Sequence, residues 1–149
     1  MSGTEAIEIA RRWLGTPYRH QASCRGAGCD CLGLVRGVWR ELYGHEPQEV
    51  PPYSPDWGEP QGREVLWTAA RRLMRMRAAF EQGGAGDLLL FRMRARGVAK
   101  HLGIAAVGSA GPTFIHSMSG HGVVESALSA PWARRVVARF VFPDTGMRG

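Results

Sequence analysis

The apolar positions at the start of the chain repeat with the spacing of a helix. Thr4 is placed to cap a first helix that runs to about Leu14. Gly15 ends this helix, and Pro17 prevents it from continuing. The polar, glycine-containing segment 18–28 that follows is predicted to be a loop.

A second helix is predicted from Cys31 to about Tyr43. Asp30 is placed to cap its start, and Gly44 closes its end. One face of this helix carries the apolar positions Cys31, Val35, Val38, Trp39 and Leu42. Cys31 is therefore expected in the first turn and on the buried face.

The middle of the chain predicts an irregular excursion followed by a third helix. Residues 45–62 are rich in Pro and Gly and show no periodicity. Residues 63–80 carry an apolar stripe at Val65, Leu66, Ala69, Leu73, Met76 and Phe80. Four arginines lie largely off the stripe and form either a solvated face or an anion-binding patch: Arg71, Arg72, Arg75 and Arg77. The glycines of 83–86 then end the helix.

The C-terminal half changes to short apolar and β-branched runs separated by Gly, Pro and Ser. Strands are predicted at Asp87–Met93, His101–Val107, Thr113–Met118, Val123–Ser126 and Val136–Phe142. Helices first and strands afterwards predict an α+β fold in which the helices pack on one antiparallel sheet. The whole chain, 1–149, is interpreted as a single domain with an insertion at about 45–83.

Composition narrows the class of protein. The chain has 149 residues, of which 44% are hydrophobic and 21% are charged, as in globular proteins. It contains no apolar run long enough for a spanning helix, and its N-terminus lacks the features of a secretory signal, so synthesis in the cytoplasm without a signal peptide or membrane insertion is expected. The formal net charge of +6 makes an anionic partner plausible. The absence of a helix-turn-helix pattern or a basic tail argues against nucleic acid.

Three cysteines lie close together in the sequence. Cys24, Cys29 and Cys31 are an odd number in eight positions, which does not fit a disulfide framework. Their spacing also differs from that of zinc knuckles, so no metal or other cofactor is expected. A helix N-terminus lowers the pKa of a thiol, and of the three only Cys31 has this position. Cys31 is the candidate nucleophile.

Two histidines in predicted strands are candidates for the base that a nucleophilic cysteine needs. Side chains of His101 and His116 can project from one face of neighbouring antiparallel strands, where the Cys31 helix could meet them. His121, between two glycines, is an alternative to His116. Each histidine taken alone also fits an ordinary core or surface residue.

Five short strings occur in an order that resembles the NlpC-type papain-like cell-wall peptidases. They are Leu14-Gly15-Thr16-Pro17-Tyr18, Gly28-Cys29-Asp30-Cys31-Leu32-Gly33-Leu34-Val35, Gly86-Asp87-Leu88-Leu89, His101-Leu102-Gly103-Ile104 and Phe114-Ile115-His116. The resemblance covers about residues 6–126 and implies a papain-like core. The excursion at 45–83 resembles the subgroup encoded with phage tails and gene transfer particles.

The resemblance implies a role for individual residues. Cys31 matches the nucleophile, His101 the general base and His116 the residue that orients the base. Tyr18 matches a tyrosine that lines the site, and Asp30 an acidic residue that in some members contacts the free amine of the substrate. Leu32 stands where the family commonly has serine, which affects the expected stem specificity.

The function implied is a cysteine endopeptidase that cleaves peptidoglycan stem peptides, typically between D-glutamate and a diamino acid. The attacking species is expected to be a Cys31 thiolate paired with protonated His101, with the Cys31 N–H and the Tyr18 hydroxyl stabilising the oxyanion. Carriage in a phage-like particle, at the tail tip or baseplate, would deliver the enzyme to the periplasm or cell wall. The alternatives are a tail or baseplate hub component with weak or no activity, and an amidase or acyltransferase on the same fold.

Overall fold

The architecture combines helices with a six-stranded antiparallel sheet. The computed structural model describes residues 2–50, 53, 62–78 and 81–144. The helices are α1 (Ser2–Arg12), α2 (Cys31–Tyr43), α3 (Val65–Leu73) and α4 (Ala130–Ala133). The strands are β1 (Ser23–Cys24), β2 (Gly28–Cys29), β3 (Arg75–Met76), β4 (Leu88–Arg92), β5 (Ala99–Gly108), β6 (Gly111–Met118), β7 (Gly122–Ala127) and β8 (Val136–Val141).

The large sheet has the strand order β3-β8-β4-β5-β6-β7, with every neighbouring pair antiparallel. Helices α1 and α2 pack together and against β5. The main apolar core lies between these helices and the sheet, and a smaller cluster around Phe91 and Phe114 covers the opposite face. The α+β prediction is therefore confirmed, as are the positions of all five predicted strands to within about two residues.

Helix α2 begins and ends where the sequence predicts. The Asp30 side chain accepts a hydrogen bond from the backbone N–H of Gly33 at 2.7 Å, which satisfies one of the free donors of the first turn. Gly44 has φ of 84°, and its N–H donates to the carbonyl of Arg40. Both ends are fixed by neighbours in sequence, so the first residue of the helix, Cys31, is held in place.

Helix α1 lies closer to the N-terminus than predicted. Thr4 lies inside the helix, which begins at Ser2 and ends at Arg12. Gly3 and Gly86 are in close contact, since a Cβ on Gly86 would lie 2.4 Å from the Cα of Gly3. This tertiary contact holds the first turn of α1 against the segment before β4.

The prediction of a long third helix was wrong at its C-terminal end. Helix α3 stops at Leu73 because Met74 adopts an extended conformation and β3 then pairs with β8. Pairing with a distant strand outweighs the helical spacing that places Met76 on the apolar stripe. Phe80 lies outside the described residues.

Two small elements were not predicted. The segment interpreted as a loop, 18–28, contains the β1-β2 hairpin with Ser23 opposite Cys29. Helix α4 follows β7 and carries Trp132, which joins the smaller apolar cluster. No helix in the part of the chain that the structure describes is long and apolar enough to cross a membrane.

Candidate active site

The sulfur of Cys31 is placed against the backbone of β5 beside His101. Cys31 is the first residue of α2, and its Sγ lies 3.7 Å from the carbonyl oxygen of Lys100. A hydrogen bond from the backbone of Leu102 also reaches the thiol. The residues on either side of His101 in sequence therefore both contact the sulfur.

Cys31 and His101 line one cleft of about 190 Å³. The complete lining is Tyr18, His20, Asp30, Cys31, Leu32, Tyr53, Met93, Lys100, His101, Ser117, Met118 and Ser119. It includes four of the five residues predicted for the site. The fifth, His116, is buried directly behind His101.

The two predicted histidines are in direct contact. Nε2 of His101 lies 2.8 Å from Nδ1 of His116, and the rings meet edge to face. This contact occupies Nε2 of His101, so Nδ1 is the other ring nitrogen that could accept a proton. His121, the alternative partner, is exposed in the turn between β6 and β7.

The histidine pair lies on the sheet face opposite α2. His116 stacks near Phe114 with ring centroids 4.2 Å apart, and His101 lies 5.5 Å from Phe91. Trp132 of α4 lies within about 6 Å of both imidazoles. His101 still lines the same cleft as Cys31, and three aromatic rings surround the imidazoles.

Burial controls the protonation of the histidines. Desolvation lowers the pKa of His101 to about 3 and that of His116 to about 4. The neighbouring His116 lowers the pKa of His101 further. Both imidazoles are consequently neutral at pH 7, and His101 can accept a proton.

The expected lowering of the Cys31 pKa was wrong. Desolvation, and after it the negative charge of Asp30, raise the pKa of the thiol to about 12. Hydrogen bonds from the backbones of Leu102 and Leu32 oppose these effects but do not outweigh them. Burial thus favours the neutral thiol and the neutral imidazole at this site, in contrast to the expected thiolate with protonated His101.

Asp30 is a buried carboxylate with several donors around it. Besides the cap to Gly33, it accepts a hydrogen bond from the backbone N–H of Gln21 at 2.7 Å. The hydroxyl of Tyr53 donates to it at 2.5 Å, and Nδ1 of His20 lies 3.7 Å away. Its oxygens are engaged by the protein, so its first structural role is to hold the start of α2.

Tyr18 contributes a phenol to the cleft wall. A parallel bridge between Tyr18 and Cys29 fixes its backbone next to the start of α2. Desolvation, followed by the charge of the nearby Cys31, raises the pKa of Tyr18. The hydroxyl therefore stays protonated and can donate a hydrogen bond.

Leu32 separates the cleft from a second cavity. An apolar groove of about 370 Å³ lies between α2 and α3, and both Leu32 and Tyr53 line it as well as the cleft. Cys31 does not line this groove. Leu32, next to Cys31 in sequence, therefore presents apolar surface on two sides.

Three side chains near the site were not found from the sequence. Ser126 of β7 places its Oγ 2.9 Å from Nε2 of His116. Tyr53 lies in the proline-rich excursion, and Trp132 lies on the unpredicted helix α4. None of the three has a sequence signal of its own, because each is brought to the site by tertiary packing.

Cys24 and Cys29 are not part of the contact between Cys31 and β5. Cys24 is exposed on the β1-β2 hairpin, Cys29 is buried, and all three cysteines are free. Within residues 2–50, 53, 62–78 and 81–144, no three His, Cys, Asp or Glu side chains are grouped to hold a metal ion.

The chain is similar to known proteins over most of its length. The model of the NlpC/P60 family matches residues 15–141. The protein described as "Murein DD-endopeptidase MepS/Murein LD-carboxypeptidase" of Escherichia coli strain K12 is 29% identical over 134 residues, covering 85% of this chain and 59% of its own length. The chain thus spans less than two thirds of that curated relative.

Solved structures show the same fold. The NlpC/p60 domain of the peptidoglycan hydrolase SagA matches with a TM-score of 0.64 and 22% identity, covering 95% of this chain and all of that chain, 100%. An NlpC/P60 family protein from Bacillus cereus matches with a TM-score of 0.61 and 18% identity, covering 93% of this chain and 39% of that chain.

Proposed function

Because the chain belongs to the NlpC/P60 family, we propose that it is a cysteine endopeptidase that hydrolyses the stem peptides of peptidoglycan. The observation that supports this most is the placement of the Cys31 sulfur against β5 beside His101, whose far nitrogen contacts His116. A nucleophile, a neutral base and a residue that orients the base are what acyl transfer from a peptide requires.

The first chemical step forms a thioester. The Cys31 sulfur attacks the carbonyl carbon of the stem peptide while its proton passes to Nδ1 of His101. The backbone N–H of Cys31, which has no acceptor within the first helical turn, and the Tyr18 hydroxyl stabilise the negative oxygen. His101 then gives the proton to the amine nitrogen, and the C–N bond breaks.

The second step releases the acid. Water attacks the thioester carbonyl and gives a proton to His101, which returns it to the sulfur as the C–S bond breaks. His101 starts and ends neutral, in agreement with its lowered pKa. The cycle uses one base for both steps and needs no further reactant.

Two kinds of peptide bond are candidates for the bond that the protein cleaves. The sequence resemblance favours the bond between D-glutamate and a diamino acid, whereas the name of the curated relative specifies DD-endopeptidase and LD-carboxypeptidase activities. We favour the D-glutamyl bond. Leu32 gives the cleft wall an apolar side chain, so selection among stems is expected to differ from that of relatives with serine there.

The test is to digest purified peptidoglycan and determine the masses of the released fragments. Wild type and Cys24→Ala, which changes only an exposed thiol, should release the same stem fragments, and Cys31→Ala should release almost none. Equal release by Cys31→Ala with the protein folded would refute the cysteine mechanism. Fragment masses that fit a cut cross-link would refute the D-glutamyl bond.

We also propose that the protein is carried by a phage-like tail and acts on the cell wall during entry. The support is the resemblance of the excursion at 45–83 to the tail-encoded subgroup, together with the net charge of +6 on a protein that meets an anionic wall. Detection of the chain in purified tail-like particles of the producing cell would support this proposal. Its absence from such particles, with presence in the ordinary envelope fraction, would refute it.

A further inference from the structure

The hydrogen bonding of the histidine pair continues beyond His116. Nε2 of His116 lies 2.9 Å from Oγ of Ser126, while its Nδ1 faces His101. In the sheet, His116 is opposite Val124, and Ser126 is the next residue of β7 on the same face. Both nitrogens of His116 therefore have a partner, one in each neighbouring strand.

The proton positions along this chain depend on one another. His101 can accept a proton from Cys31 only when its Nδ1 is bare, which places its own proton on Nε2. That proton points to Nδ1 of His116, which must then be an acceptor. The proton of His116 must consequently lie on Nε2, where Ser126 Oγ accepts it.

The reverse arrangement would disable the base. If His116 carried its proton on Nδ1, Nε2 of His101 would have to be the acceptor, and the proton of His101 would move to Nδ1. That proton would then face the cleft and block transfer from the thiol. The hydrogen-bond partners of its two nitrogens determine which of these two forms a neutral histidine adopts.

The surroundings make the Ser126 contact decisive. His116 is fully buried, and Phe114 and Trp132 lie against its ring. A buried N–H that loses its partner cannot readily bond to water instead, and this costs more than the contact itself provides. Because the Ser126 hydroxyl can accept from this N–H, it removes the penalty that the form of His116 protonated on Nε2 would otherwise carry.

We propose that Ser126 is a positioning residue that supports the tautomer of His116 protonated on Nε2, and so supports the form of His101 whose Nδ1 can accept a proton from Cys31. The kinetic consequence rests on the proposed peptidase function, whereas the tautomer itself does not. Ser126 touches neither the substrate nor the reacting atoms in this assignment.

The first test reads the tautomers directly. Long-range ¹H–¹⁵N spectra of the histidine rings at pH 7 should show both His101 and His116 of the wild type protonated on Nε2. In Ser126→Ala the form protonated on Nδ1 should gain population in both rings, and Ser126→Thr, which keeps a hydroxyl, should resemble wild type. Spectra of Ser126→Ala identical to wild type would overturn the proposal.

The second test uses turnover of a soluble stem peptide. In Ser126→Ala kcat should fall about fivefold with little change in KM, since one hydrogen bond is lost away from the substrate. Ser126→Thr should recover most of the loss, and the exposed turn variant Ser109→Ala should match wild type. An unchanged kcat in folded Ser126→Ala would overturn the kinetic role.

The two proposals fail in different ways. If wild type does not cleave the peptide but the tautomers shift in Ser126→Ala, the peptidase function is refuted and the positioning role of Ser126 stands. If wild type cleaves and neither spectra nor kcat respond, the function stands and the role of Ser126 is refuted. Thermal unfolding of each variant verifies that it is folded under the conditions of measurement.

Discussion

The carboxylate of Asp30 caps the helix that begins at Cys31 and also raises the pKa of the Cys31 thiol. The two effects oppose each other in a nucleophilic site, because the cap positions the sulfur and the charge keeps it protonated. The structure favours the positioning role of Asp30, because its carboxylate is buried and hydrogen-bonded to Gly33, Gln21 and Tyr53. Under the proposed mechanism, the sulfur is activated by proton transfer to His101.

Removal of the Asp30 charge should make the thiol more acidic. In Asp30→Asn the amide oxygen can still cap Gly33, but the negative charge beside the sulfur is gone, so the pKa of Cys31 should fall and give up to about tenfold more thiolate. The measurement is the rate of iodoacetamide alkylation against pH, in a Cys24→Ala background. Glu41→Gln removes a charge farther along α2 and serves as control. A profile of Asp30→Asn that overlays the control would contradict this expectation.

Removing the Trp132 side chain should raise the pKa of the buried histidines toward that of a free histidine. Burial lowers the pKa of His116 to about 4, and Trp132 supplies part of that burial. In Trp132→Ala water reaches the rings, and the midpoint of His116 should rise by about one pH unit or more toward that of a free histidine. Histidine NMR titration measures this, with Trp132→Phe retaining an aromatic ring. Unchanged midpoints in folded Trp132→Ala would assign the burial to other residues.

The lowered histidine pKa values predict loss of stability in weak acid. Between about pH 6.5 and pH 4 the unfolded chain binds protons that the folded chain excludes, so the free energy of unfolding falls as the pH drops. For His116 alone the change is about 3 kcal/mol. Urea denaturation from pH 7 to pH 4 should show a shallower dependence for His116→Gln than for wild type. Parallel curves would disprove the link.

A buried ion network secures the start of β4. Asp87 is 2% exposed and contacts Nε of Arg77 at 2.8 Å and Nε of Arg139 at 3.0 Å. Asp87→Asn removes the anion that two partly buried guanidinium groups share, leaving Arg77 only its pair with Glu81, and should cost about 2 kcal/mol of unfolding free energy. Glu81→Gln, which leaves Arg77 its contact with Asp87, should change stability less. Similar unfolding midpoints for both variants would show that the network contributes nothing particular.

The parts of the fold that were predicted correctly are those fixed by near neighbours in sequence. Asp30 and Gly44 bound α2 through local hydrogen bonds, and the sheet strands show their own apolar runs. The end of α3 was missed because it depends on pairing between β3 and β8, which are far apart in sequence. Helical periodicity contains no information about such a partner.

The candidate site was likewise predicted from the sequence only in part. Cys31 and the two histidines follow from residue type, element and order, and the structure brings the histidines to 2.8 Å. The protonation of the site did not follow, because the helix start indicates a lowered thiol pKa while burial, which the sequence does not show, raises it. Ser126 was missed since one serine among many in strands and turns has no distinguishing pattern.

The sulfur meets the backbone of β5 across 69 residues of sequence, at the carbonyl of Lys100. During synthesis from the N-terminus, the sulfur-bearing helix leaves the ribosome long before the strands with the imidazoles. A partly made chain therefore has an exposed thiol but no base beside it. The thiol and the histidine pair can therefore come together only after translation has passed β6.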